Sequence, residues 1–511
     1  MKILLRWAKD NSVILANAGS LVGTMAVTSV LGFAYWWLAA RRFPPEAVGL
    51  ASAAISAMTL LGTFGILGLG TLLLGELPRQ RGKEVSLISA ALILVGGVGC
   101  CLGIIFAVVA PHISTSFQVL GASFINIALF AVGVSLTAIT LVLDQALIGL
   151  LRGGLQLWRN TLFAGVKLVA LFVAVLWLSH VTGLTIYATW IIGNIFSLAT
   201  LAGFVIVKRG WPGRNYLPQW GLLRKLGPAA LKHHALNITL DAPSLILPVL
   251  VTVLLSATVN AWFFVSWTLA GIANMISVAL ATTLYAVSSA QPSMLARKLR
   301  LTLSLAFVAC VLANCVLLLG ASQVLGLFGH SYSEQAAWSL RILSLESFPF
   351  IVKNHYVAIS RIHNRVARTT LLTIATGLFE LGGAALGARL GGLNGLSLGW
   401  FAAMCVEAMF MSRTVYKATQ FVQTSPQVSI EENSMAEQAV WLIDTFVLAA
   451  TRPVIAGEGI DVYQRRLQRD ERKSISRHPN NGKLRLKPTR LERFSPSDDI
   501  AVKRQFKQIT P

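Results

Sequence analysis

The sequence predicts an all-α, polytopic membrane protein with roughly twelve transmembrane helices in two six-helix lobes. Three observations carry that expectation. Of 511 residues, 55% are hydrophobic and only 13% are charged, about half the charged share of an ordinary soluble protein. The apolar residues fall in successive runs of about 20, the length a helix needs to cross a bilayer. The basic residues between those runs alternate from heavy to light along the chain. This composition excludes a disordered chain, a collagen and a disulfide scaffold. Cys100, Cys101, Cys310, Cys315 and Cys405 all lie inside apolar runs and read as small buried hydrophobes.

The runs follow in order. Val13–Ala40 is longer than the apolar core of a signal peptide and lacks a convincing cleavage site, so it is expected to remain as the first span. Val48–Gly75, Val85–Ala110 and Phe124–Leu151 come next, then Leu162–Leu178 and Leu184–Val207. A connection containing Pro212, Gly213 and Pro218 separates these six from a second set. That set comprises Ala229–Leu255, Ala261–Ala290, Leu299–Gly320, Leu340–Ile359, Thr370–Leu390 and Leu393–Val415. The implied organisation is an N-terminal lobe at 1–207, a linker at 208–227, a C-terminal lobe at 228–417 and a cytoplasmic, mostly disordered tail at 418–511. Within the tail, Ala439–Ala450 is too short to span and suits an interfacial helix.

The net charge is +22, of which +18 lies in residues 1–417. In a soluble protein this would point to nucleic acid. Here the excess sits in short loops, so no nucleic-acid partner is expected. Twenty-one basic residues fall at the N-terminus, in the even-numbered loops and after the last span, among them Arg79, Arg152, Arg159, Arg297, Arg361 and Arg365. Four, Arg41, Arg42, Arg341 and Arg389, fall on the other side. Basic loops face the cytoplasm, which places both termini there. One echo links the halves: Pro45–Gly49 follows the first span and Ala257–Asn260 follows the seventh.

Two stretches resemble bacterial polysaccharide flippases of the multidrug/oligosaccharidyl-lipid/polysaccharide exporter superfamily. Leu38-Ala39-Ala40-Arg41-Arg42-Phe43-Pro44-Pro45-Glu46-Ala47-Val48-Gly49-Leu50 resembles the junction of their first two helices. Leu325-Gly326-Leu327-Phe328-Gly329-His330-Ser331-Tyr332, followed by Leu340-Arg341-Ile342-Leu343, resembles the segment before their tenth. The resemblance covers residues 1–417 in span number and spacing. It implies two lobes around a cavity that opens alternately to either side of a bacterial inner membrane. It also implies a polyprenyl-pyrophosphate-linked oligosaccharide as substrate, with membrane lipids and polysaccharide assembly proteins as partners.

Ionisable residues within spans are costly and mark candidate sites. His234, Asn237, Asp241 and Ser244, spaced three, four and three apart, share one face of the seventh span, where Pro243 and Pro248 suggest a bend. Lys353, Asn237 and His234 are the substrate-binding candidates, Lys353 as a point charge for a pyrophosphate. Asp241, Asp144, Glu380 and Glu407 are the ion-coupling candidates. Competing structural readings pair Asp144 with Lys167 and Glu346 with Lys353. Gly383, Gly387 and Gly391 recur every four residues, as do Gly99 and Gly103, and suit close helix packing.

The His233–His234 pair near Lys232 has no third ligand nearby, so no metal is expected. No GxxxxGK[ST] motif occurs, so no nucleotide cofactor is expected either. An ion-coupled drug/cation antiporter of the same superfamily is the alternative function. An integral-membrane polysaccharide polymerase is the enzyme alternative, and it wants a large outer loop or a sugar-nucleotide domain that this sequence does not supply.

Overall fold

A computed structural model describes residues 12–77, 84–177, 182–209, 220–290, 295–363 and 365–420. The tail expected at 418–511, its interfacial helix and most of the 208–227 linker therefore lie outside the described residues, apart from 418–420 and the helical ends at 208–209 and 220–227. Among the described residues every regular element is helical. The longer ones are α1 (Ser12–Arg42), α2 (Pro45–Gly65), α3 (Leu69–Glu76), α4 (Glu84–Ile113), α5 (Phe124–Gly149), α6 (Gly153–Trp177) and α7 (Gly183–Arg209) in the first half. The second half holds α8 (Trp220–Leu254), α9 (Ala257–Ala290), α10 (Leu295–Gly326), α11 (His330–Leu345), α12 (Ser347–Ile362) and α13 (Val366–Gln420). Nine of the described helices are long and apolar enough to cross a membrane by themselves.

Three departures from the expected spans have local causes. The second span divides into α2 and α3 because Leu67 and Gly68 take left-handed backbone angles, with φ of 52° and 77°. The tenth divides into α11 and α12 at Glu346. Pro349 lacks an N–H for the carbonyl of Leu345, and the Glu346 N–H turns instead to Leu343 at 3.1 Å. The fifth begins at Gly153, nine residues before the expected Leu162. By contrast α13 breaks at Gly391 and Gly392, the boundary read between the last two spans; Gly392 has φ 58°. Its two halves fold back on each other through Gly383, Gly387, Gly395 and Gly399, where any added Cβ would strike the opposite backbone. Gly391 thus serves the break, while Gly383 and Gly387 serve the packing. Helix α8 runs unbroken through Pro243 and Pro248.

Helices α1–α7 pack among themselves, as do α8–α13, and the halves meet chiefly where α2 lies against α8 and α9. The junctions that echo one another in sequence form part of this seam. Gly49 abuts the Ala257 carbonyl so closely that a Cβ has no room. The Asn260 amide donates to the Gly49 carbonyl at 2.8 Å and to the Ser52 hydroxyl at 3.0 Å. The two stretches that carry the family resemblance also touch. Arg41 donates from Nε to the Leu327 carbonyl at 2.6 Å and from Nη2 to the Gly326 carbonyl at 3.0 Å. Phe33 meets Phe328 edge-on at 5.3 Å, and Trp36 meets Phe264 at 4.6 Å.

Candidate functional site

The second half carries a buried charged cluster. Lys353 on α12 places Nζ 2.6 Å from Glu380 Oε1 and 3.1 Å from Glu407 Oε2. Glu380 and Glu407 belong to the two arms of α13, and Thr376 donates to Glu407 Oε1 at 2.6 Å. All three charged residues are buried. One ammonium therefore ties α12 to both arms of the broken helix. This corrects the expected Glu346–Lys353 pair. The kink at Glu346 turns its carboxylate towards α9 and the second arm of α13. There Asn274 donates to Oε1 at 2.9 Å and Trp400 to Oε2 at 2.6 Å. It also weakens Lys353 as a ligand for a substrate anion, because two carboxylates already hold its charge.

In the first half Asp144 pairs with Arg159, not with Lys167. The guanidinium is bidentate, Nε to Oδ1 at 3.0 Å and Nη2 to Oδ2 at 2.7 Å, and Asn160 adds a third bond at 3.1 Å. Arg159, counted as a loop charge in the sequence, is buried because helix α6 starts early enough to include it. Lys167, about two turns further along α6, sits against three aromatic faces. Its Nζ is 3.7 Å from the ring centre of Trp190, 4.8 Å from Phe163 and 5.0 Å from Tyr35. These rings, and no carboxylate among the described residues, surround the Lys167 amine. Asp144 as an ion-coupling candidate is thus already satisfied by three hydrogen bonds.

The stripe on α8 remains open. Asp241 is exposed although it lies mid-helix, and Asn237 is half-buried. Asn237 Oδ1 accepts from Arg361 Nη2 at 2.9 Å, and Arg361 also lies within the field of Asp241 and Tyr285. His234 is buried against the backbone of Thr63 and Phe64 at the end of α2, so it joins the two halves and does not line a free surface. Thr239 bonds Thr373 of α13 at 2.6 Å, on the other side of α8. The arrangement brings together Asn237, Asp241 and a cation that the sequence assigned to a loop. A guanidinium offers five N–H donors in a fixed fork suited to phosphate. One of those donors is engaged by Asn237. No group of three or more metal-binding side chains occurs among the described residues.

Residues 14–226 match the family described as polysaccharide biosynthesis protein. A solved inward-facing multidrug-resistance transporter of the MATE family, itself in the MOP superfamily, aligns with 79% of this chain and 99% of its own, with TM-score 0.59 at 15% identity. The chain shares the fold of that transporter. A MOP superfamily transporter from Pyrococcus furiosus, described as having a binding pocket of reverse polarity, aligns with 81% of this chain and 96% of its own, with TM-score 0.51 at 16% identity. A MATE protein crystallised with the ligand MaD5 aligns with 82% and 98%, also at 0.51 and 16%. No curated protein matches the chain significantly. The chain is accordingly a multi-pass, all-helical membrane protein. The polysaccharide family match ends at residue 226, before Asn237, Asp241, Lys353 and Arg361.

Arg361, Arg159 and the rings around Lys167 were not singled out in the sequence. Arg159 had a readable signal: Gln156, Asn160 and Lys167 fall four and seven apart and give α6 a polar face reaching below its apolar run. Arg361 had none, since an arginine near a helix end looks like any positive loop residue.

Proposed function

We propose that this chain is a flippase that moves a lipid-linked oligosaccharide across the bacterial inner membrane by alternating access. The observation that carries the reading is Arg361, held by Asn237 on the exposed stripe of α8 beside Asp241. A carboxylate exposed mid-span needs water, hence a cavity. A guanidinium at its edge supplies paired donors for the diphosphate of a polyprenyl carrier. The anion competes with Asp241 for that guanidinium, so binding frees the carboxylate. The polysaccharide family match over the first half supports the same substrate class.

Export by Arg361→Ala is expected to fall about tenfold or more in a flippase-deficient strain at normal protein abundance. That corresponds to losing one charge-assisted contact of about 1.4 kcal/mol. Arg361→Lys keeps the charge but not the fork and retains part of the activity. Full export by a stable Arg361→Ala variant overturns this site.

The exposed Asp241 favours a second reading, an ion-coupled antiporter of cationic drugs. In that case Asp241→Asn abolishes drug resistance, while Arg361→Ala leaves it intact. Both readings keep the termini cytoplasmic. Single cysteines at Thr182 and Gln80, in a chain without its own cysteines, should react with an impermeant reagent from outside and inside respectively. Reaction of both from outside excludes the topology.

A further inference from the structure

Glu346 stands apart from the ion-coupling candidates on α5, α8 and α13. It is buried at the α11–α12 kink, and each of its oxygens accepts from a neutral donor, Asn274 Nδ2 on one and Trp400 Nε1 on the other. Asn274 Oδ1 is buried and makes no hydrogen bond among the described residues. Asn274 itself is half-buried on α9, the helix that packs against α2 across the seam. An amide beside a carboxyl can serve either of its charge states. Its N–H donates to the carboxylate; after a half-turn of the amide, its oxygen accepts from the carboxylic O–H. The unpartnered Oδ1 is the atom that the second state would use.

We propose that Glu346 is a proton-binding site, with Asn274 as the reversing partner that satisfies it both ionised and protonated. The proton comes from water and bonds to Oε1. The Asn274 amide then turns, so that Oδ1 accepts that O–H. Trp400 Nε1 keeps donating to Oε2 throughout. No bond other than the O–H forms, and release reverses the same steps.

On α12, Lys353 is held by Glu380 and Glu407 of α13. From α9 the facing groups are Asn274 and Trp267, the latter edge-on to Trp400 at 5.4 Å. On α10, Asn314, bonded to Ser347 at 2.8 Å, and Cys310 face Ser347, the neighbour of Glu346 in sequence. Glu346 therefore has the Lys353 ammonium in its field, but its own hydrogen bonds are to neutral groups. Proton binding is a different claim from flipping of a glycolipid, so its test does not use export.

The measurement is pH-difference infrared spectroscopy of the full chain in lipid nanodiscs, following the carbonyl stretch of protonated carboxylic acid. Wild type should show a pH-dependent band that Glu346→Gln lacks. A glutamine accepts from Trp400 and donates to the turned Asn274, so this variant imitates the protonated state and should fold. Trp400→Phe removes a donor that steadies the carboxylate more than the carboxylic acid, so the band should persist to higher pH. A band unchanged in Glu346→Gln but lost in Glu380→Gln overturns the assignment. A band that responds to sodium and not to pH overturns the proton as the ligand. If Trp400→Phe leaves the titration of the band unmoved, the band does not arise beside Trp400 and the proposal fails.

Discussion

Gly49→Leu should abolish export while the protein remains folded and abundant, and Gly49→Ala should reduce it strongly. Gly49 lies where α2 crosses the start of α9, and the Ala257 carbonyl occupies the place of a Cβ. Backbone, and not a movable side chain, blocks that space, so the two helices must separate to admit any larger residue. The polar bonds at the seam do not oppose separation strongly. Asn260 and Arg41 contribute two each, and hydrogen bonds between membrane helices are worth roughly 0.6 kcal/mol on average. A seam of this strength suits reversible opening, whereas the collision at Gly49 forbids closure. Cysteine at Ala257, which is 6% exposed, reports the state in a chain freed of its native cysteines. It should resist a water-soluble maleimide in the parent and react once Gly49→Leu is added. Normal export by Gly49→Leu would show that the seam never closes in the working cycle.

The two junctions that meet there were legible only as separate words. The sequence shows Pro45–Gly49 and Ala257–Asn260 as an echo, but nothing in either stretch says that they touch. Spans were readable because apolar runs and turn residues are local: the break at Gly391–Gly392 follows from two glycines between apolar runs. The kink at Leu67–Gly68 was not readable, because leucine gives no warning of a left-handed backbone.

Partners of buried charges were the least readable layer. Helical spacing put Glu346 and Lys353 on one face, seven apart, and that shared face suggested a pair. Pairing across helices depends instead on rotation and tilt, which bring Glu380 and Glu407 to Lys353 from two arms of α13. Likewise, Asp144 and Lys167 sit at similar depth on neighbouring helices, yet Arg159 reaches the carboxylate first with a two-pronged fork. Depth can be counted along a sequence, but azimuth between helices cannot.

Lys353→Ala should therefore act on stability before it acts on transport. The ammonium is the one cation that the Glu380 and Glu407 carboxylates share among the described residues. Removing it leaves two acidic groups facing each other in a buried site. Breaking a buried ion pair from one side costs about 3–5 kcal/mol, because the abandoned charge stays desolvated. Abundance and the thermal unfolding midpoint of the detergent-solubilised protein should both fall. Lys353→Met combined with Glu380→Gln and Glu407→Gln removes all three charges at similar volume, and this combination should restore much of the loss. Adding Glu346→Ala to Lys353→Ala should restore nothing, since Glu346 is bonded to Asn274 and Trp400 and is not the abandoned partner. If Lys353→Ala is as stable as the parent yet exports nothing, the lysine serves the substrate and the brace reading fails. Recovery of export together with stability in the charge-free triple variant would place the lysine wholly in the architecture. The phosphate-binding duty would then fall on Arg361.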